Sequence, residues 1–243
     1  MTDALTARQT QILKALIDEY IEVAYPVGSE ALEKKYDLGV SPATIRNEMM
    51  ALTSMGYLKQ PHTSAGRIPT PKAMKFYIDQ LMEEKQMSLT DEVKAKEGVW
   101  DARKDVNSLL REAVHSLAVQ TDSLAIAAID QGRIWHSGYA HIFSNPEFAD
   151  MNLCLNIFSF LEEASQINEV FFKKATGRNP VEVIFGEDLG FSGLAPISIV
   201  ITTFHIGDSV AALGVIGPTR IKYHTVIPTL RYFGNLIQEI AGA

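Results

Sequence analysis

The stretch from Leu38 to Thr70 constrains this chain more than any other. Ser41-Pro42 is a helix-start pair: a side-chain oxygen that can accept from a first-turn amide, then a proline where no donor is needed. Val40 and Ile45 are placed as a hydrophobic staple, and Gly56 sits where a C-terminal cap belongs. Ile45, Met49 and Leu52 recur at helical spacing, so the helix through VSPATIRNEMMALTSMG turns that face inward. Directly beyond it, Tyr57–Gln60 and Arg67–Thr70 are short extended runs flanking PHTSAG, a turn-rich loop, and together they read as a β-hairpin. A short helix entered through a tight turn and followed at once by a hairpin fits few folds.

The preceding residues complete the pattern. Thr6 and Gln9 form a capping box, and Ile12, Leu13, Leu16, Ile17, Tyr20 and Ile21 give a first helix from about Ala7 to Val23. Pro26 to Gly28 break the chain. Ser29 is placed to cap a second helix, EALEKKYD, with Ala31, Leu32 and Tyr36 as its buried side. Three short helices, the third reached through Leu38-Gly39-Val40, make a helix-turn-helix, and the hairpin makes it winged. Thr70-Pro71 starts a fourth helix, with Met74, Tyr77, Ile78, Leu81 and Met82 on one face. We read residues 1–75 as a winged-helix domain, 76–120 as a helical linker or dimerisation segment, and 121–243 as a second domain.

Charge separates the same way. The chain carries a net charge of -7, yet Leu38 to Ile78 holds Arg46, Lys59, Arg67, Lys72 and Lys75 against Glu48 alone, so a basic island of +4 sits in a remainder of -11. Phosphate binding rests on Lys and Arg, so only this island suits a nucleic acid; a solvated face explains such a block equally well. The single cysteine, Cys154, excludes an internal disulfide, and the opening MTDALTARQT has no apolar signal segment, which points to the cytoplasm. Residues 189–207 lack Asp, Glu, Lys and Arg, but Pro196 and the alternation in ISIVITT read as a loop and buried strand rather than a membrane span.

Val99, Val106, Leu109, Leu110, Ala113, Val114 and Leu117 form an apolar stripe that packs either on its own domain or on a second copy. From Leu124 the period shortens. LAIAAID, a turn at Gln131-Gly132 and RIWHSGYAHI look like paired strands; Asn145 to Ala164 reads as a helix, EVFFKKA, VEVIFG, ISIVITTFHI and VAALGVIG as strands, and Val226 to Ile240 as a closing helix. Short turns such as Gly207-Asp208 imply an antiparallel sheet covered by helices, giving an α+β chain with an antiparallel α/β second domain.

Catalytic chemistry is not legible. His136 and His141 lie five apart in a strand-like run, on opposite faces, without Cys or carboxylates at ligand spacing. Cys154 sits in the apolar LCLNIF, as a buried thiol. No nucleophile elbow, P-loop or dinucleotide fingerprint occurs. GVIGPTR could cradle an anion, or simply turn the last strand into the closing helix. Neither a cofactor nor a metal is expected, and an enzyme is not.

The runs PVGSEAL (Pro26 to Leu32), SPATIRNEM (Ser41 to Met49) and GYLKQPHTSAGRIPT (Gly56 to Thr70) resemble the heat-inducible transcription repressor HrcA family, and GVIGPTRIKYHTVIPTL (Gly214 to Leu230) is similar to its C-terminal signature. The resemblance implies a DNA-binding repressor of chaperone genes. It would act as a homodimer on the inverted-repeat CIRCE operator, depend on the GroEL chaperonin, lose it to misfolded protein on heating, and carry a GAF-like C-terminal domain. Two departures stand out. The chain is shorter than typical members, with little room between Ser88 and Gln120 for the dimerisation domain that they insert, and Pro71 to Lys75 replaces an acidic residue and a Tyr-Arg pair.

On the winged-helix reading, Ala43, Thr44, Arg46, Asn47 and Met50 lie on the outer side of the third helix. Arg46 suits guanine O6 and N7, Asn47 suits adenine N6 and N7, and Ser41 and Thr44 at the helix start suit phosphate; a local pair between Arg46 and Glu48 is the competing assignment. Lys59, His62, Thr63, Ser64 and Arg67 give the wing short donors and positive charge, on a loop kept small by Ala65 and Gly66. The alternative function is a ligand-responsive winged-helix regulator whose GAF-like domain senses a small molecule.

Overall fold

The computed structural model describes residues 5–130, 132–177 and 179–241, so Gln131 of the expected turn lies outside it. The chain divides into two compact units, Met1–Glu83 and Glu84–Ala243.

In the first unit, α1 (Ala7–Val23) opens with the Thr6 and Gln9 capping box. Ile12, Leu13, Leu16, Ile17 and Ile21 are buried against α2 (Ser29–Lys35) and α3 (Pro42–Ser54). Gly28, not Ser29, caps α2, and Ala31 faces solvent while Leu32 is buried. Seven residues give two turns, whose inward face holds one side chain deeply. The hairpin is β1 (Leu58–Lys59) against β2 (Ile68–Pro69), antiparallel with Leu58 opposite Pro69. Thr70 caps α4 (Pro71–Phe76), which loosens into a π turn over Tyr77–Leu81. Tyr77 is buried there, and its hydroxyl donates to Asp18 at 2.6 Å.

The second unit begins with α5 (Leu89–Asp101) and α6 (Val106–Thr121), separate helices because Asp105 caps the second. Leu109, Leu110, Ala113, Val114 and Leu117 of α6 are all buried, and the helix packs on the sheet of its own unit. The sheet is antiparallel in the order β4-β3-β7-β6-β5, formed by β3 (Leu124–Ile129), β4 (Ile134–Ser137), β5 (Glu182–Phe185), β6 (Ile197–Ile206) and β7 (Ser209–Pro218). Against one face lie α8 (Met151–Glu162) and α9 (Ala164–Asn168), which share a core with Ile126, Ile199 and Ile216. The other face is covered by α6 and α10 (Tyr223–Ala241). With helices on both faces, every residue of β3 is buried, as an apolar run predicts. This is the helix-covered antiparallel sheet expected of the second domain.

Two local expectations are corrected. EVFFKKA is not a strand: Glu169–Lys174 is a π turn continuing α9. Ile167, Val170 and Phe171 are buried at i, i+3 and i+4, which a strand's alternation cannot deliver. His136 and His141 do not share a strand, since Gly138 ends β4 and His141 lies in α7 (Tyr139–Ile142), paired with Asp122 at 2.5 Å. VAALGVIG forms the strand expected of it, running on to Pro218 in β7, and Gly214 is required there because a Cβ would meet the Phe171 ring at 2.6 Å. No described helix is long and apolar enough to cross a membrane.

Candidate nucleic-acid interface

Local chemistry at the start of α3 aims its outer face. The Ser41 hydroxyl accepts from the Thr44 amide at 3.3 Å and lies 3.0 Å from the Thr44 hydroxyl, so both groups hold the first turn. With Ile45, Met49 and Leu52 buried, Ala43, Arg46, Asn47 and Met50 are exposed at the spacing of a single face. Among the described residues, the side chains of Arg46 and Asn47 make no hydrogen bond or ion pair. Glu48, the acid of the basic island, is turned away: its carboxylate accepts from Gln9 at 3.1 Å and lies 3.9 Å from Arg8. The competing Arg46–Glu48 pair does not form. Two exposed donors of the kind that reads base edges therefore stand clear on the outer side of α3.

The wing is built as a third-strand addition. The backbones of Val27 and Arg67 exchange hydrogen bonds at 2.9 and 2.8 Å, tying the hairpin to the loop between α1 and α2. Gly66 permits this approach, since a Cβ would meet the Val27 carbonyl oxygen at 2.3 Å. Its role is thus close backbone contact rather than the loop turn expected of it. Within the loop, Gln60 donates from Nε2 to the carbonyls of Thr63 and Ala65, both at 2.9 Å, and the His62 ring lies 3.3 Å from the Ser64 hydroxyl.

The basic side chains divide by task. Arg67 is half-buried, donating from Nε to the Thr53 hydroxyl at 3.2 Å, which fixes the wing to α3. Lys72 donates to the Met55 carbonyl at 2.8 Å and lies 4.3 Å from the centre of the Tyr57 ring. Lys59 is exposed on β1 and, among the described residues, makes no ion pair. Between α3, the wing and the start of α2 runs a groove of about 450 Å³, which gathers Arg46, Thr63, Ser64 and Arg67 beside Glu30 and Gln60. Ser41, Thr44, Asn47, Lys59 and His62 lie outside its lining.

Sequence reasoning missed Gln60 and Val27, which shape the wing without carrying charge. The signal for Gln60 was its position at the mouth of a short loop with free carbonyls; Val27 had none, because its partner is forty residues away. No cluster of potential metal ligands exists among the described residues. Cys154 is buried, with its thiol 3.1 Å from the Phe148 carbonyl.

Comparison with known proteins places both units. A family model for the winged helix-turn-helix transcription repressor HrcA DNA-binding domain matches residues 4–83, and one for the HrcA protein C-terminal domain matches residues 70–227. The heat-inducible transcription repressor HrcA of Carboxydothermus hydrogenoformans is 26% identical, with 97% of this chain and 98% of that protein aligned over 336 positions. That of Geobacter sulfurreducens is 26% identical over 99% of both. These alignments are longer than the 243 residues here, so both relatives carry segments that this chain lacks. That of Desulforamulus reducens is 44% identical over 135 residues, 56% of this chain and 38% of its own. A crystal structure of a hypothetical protein superposes with a TM-score of 0.76 at 17% identity, covering 98% of both chains, and shows the shared fold.

Proposed function

Since the chain belongs to the HrcA family of heat-inducible transcription repressors with a winged-helix DNA-binding domain, we propose that it represses chaperone genes as a two-fold dimer on a CIRCE-type inverted repeat. The observation that carries this reading is the unpaired state of Arg46 and Asn47 on the outer face of α3, with the island's acid held back by Gln9 and Arg8. Helix α3 enters the major groove. Arg46 takes guanine O6 and N7, Asn47 takes adenine, and Ser41 and Thr44 lie against phosphate. The wing brings Lys59, His62, Thr63, Ser64 and Arg67 to the backbone or minor groove.

One head covers one half-site, so the inverted repeat requires two chains related by a two-fold axis. The resemblance supports the sensing step as well: GroEL sustains the active repressor, and its diversion to misfolded protein empties the operator. A gel shift on a CIRCE-type repeat, with and without GroEL, tests this. Two chains per repeat and more shifted DNA with GroEL are expected; one chain per repeat, or indifference to GroEL, contradicts the corresponding part.

A further inference from the structure

Arg46 and Asn47 leave one long side chain on the outer face of α3 without a task. Ala43, Arg46, Asn47 and Met50 share that face at i, i+3, i+4 and i+7, and Met50 is 54% exposed. Its neighbour Met49 is buried, so only one of the two methionines serves packing. Among the described residues of the first unit, the other exposed large hydrophobic side chains are Val23 and Tyr25, which lie at the end of α1 and in the loop beyond it. A solitary exposed methionine on an ordinary surface carries no message. Met50 stands on the surface that the operator reading turns toward base edges, and it lines the same groove as Arg46, Thr63 and Ser64.

The chemistry of the major groove narrows what such a side chain can meet. Methionine has no hydrogen-bond donor and only a weak acceptor in its thioether, so it suits neither a phosphate nor the polar base edges that Arg46 and Asn47 take. The groove presents one apolar group, the C5-methyl of thymine. An unbranched, polarizable side chain adapts to a methyl group without the fixed geometry that a bidentate hydrogen bond requires. Reach agrees with this. The four residues from Arg46 to Met50 rise about 6 Å along the helix, less than two base steps of ~3.4 Å, so both side chains meet the same half-site.

We propose that Met50 is a specificity-determining residue, which packs against the C5-methyl of a thymine in the half-site and so selects thymine at that position. The inference deepens the operator reading and rests on it. Burying a methyl group adds to the polar contacts of Arg46 and Asn47 and replaces none of them. Met50 therefore sets which sequences are bound best, while the basic side chains set whether DNA is bound at all.

Fluorescence anisotropy of the full chain on a CIRCE-type inverted repeat tests it. Each thymine of the half-site, on either strand, is replaced in turn and symmetrically by uracil, which pairs identically and lacks only the methyl group. At one position the change is expected to weaken wild-type binding about fourfold per half-site, the worth of one buried methyl group, and roughly fifteenfold for the two together. Met50→Ala is expected to bind the thymine and uracil repeats alike. The position is exposed, and circular dichroism verifies folding. Because both proteins meet the same pair of duplexes, any change in DNA flexibility cancels in the comparison. Specific binding of the repeat with no uracil position felt, or a uracil penalty of the same size in Met50→Ala, overturns the proposal and leaves the operator reading standing. Equal affinity for the repeat and a scrambled duplex sinks the operator reading, and this assignment falls with it.

Discussion

Gly66 lies so close to Val27 that a single methyl group would place carbon 2.3 Å from the Val27 carbonyl oxygen, in the span where their neighbouring backbones pair. The wing is therefore positioned by the α1–α2 loop as much as by its own hairpin, whose two-residue strands would be marginal alone. Gly66→Ala should push the wing off this loop, costing about 1–3 kcal/mol as overpacking does. Affinity for operator and random DNA should fall together. Urea unfolding and DNA titration check both, and a variant as stable and as tight-binding as wild type refutes this placement.

Arg46→Ala should remove a base contact without touching the fold, since the side chain is exposed and bonded to nothing among the described residues. The expected loss is about 1–3 kcal/mol on the operator, some tenfold to a hundredfold in Kd, and much less on a scrambled sequence. Equal losses on both DNAs would reduce Arg46 to a phosphate contact.

Lys59 and Arg67 should behave differently, although both are basic wing residues. Lys59→Ala should weaken binding to all sequences and lower the slope of log K against log salt by about 1, with stability within ~0.5 kcal/mol of wild type. Arg67→Ala should also cost about 1 kcal/mol of stability, because its Nε anchors the wing to Thr53. Salt titrations with parallel slopes for Lys59→Ala and wild type would remove that side chain from the interface.

Much of this was legible in the sequence for identifiable reasons. The caps Thr6, Ser41 and Thr70 and the strand alternation of β6 and β7 are local signals, and local signals located their elements closely. What escaped depends on distance. Gly66 reads as a turn glycine until Val27 is seen against it, and EVFFKKA reads as a strand unless Ile167 is counted into its period. In the candidate interface, the exposed face of α3 followed from its buried positions, whereas the different duties of Lys59, Arg67 and Lys72 depend on partners 14 to 17 residues away for the latter two. Composition cannot distinguish a lysine that meets phosphate from one that caps a helix.

His136 supplies a pH prediction. Burial lowers its pKa, and its Nε2 is buried without a hydrogen-bond partner among the described residues, so the folded chain favours neutral imidazole. The unfolded chain takes up a proton near the ordinary value of about 6.5. Below that pH the unfolded state binds more protons, and this contribution to stability falls as the solution is acidified. Urea unfolding at pH 7.5, 6 and 5 should show His136→Phe at least as stable as wild type at the highest value and losing less on acidification. Identical losses in the two proteins contradict the assignment.

The central claim is that α3 and the wing read a specific DNA sequence through an otherwise acidic protein. Fluorescence anisotropy of the full chain on a labelled CIRCE-type inverted repeat and on a scrambled duplex, each at two salt concentrations, tests it most directly. The account predicts binding at least about a thousandfold tighter to the repeat, with affinity for both DNAs falling as salt rises. Equal affinity for the two duplexes, or no binding by folded protein to either, would contradict it.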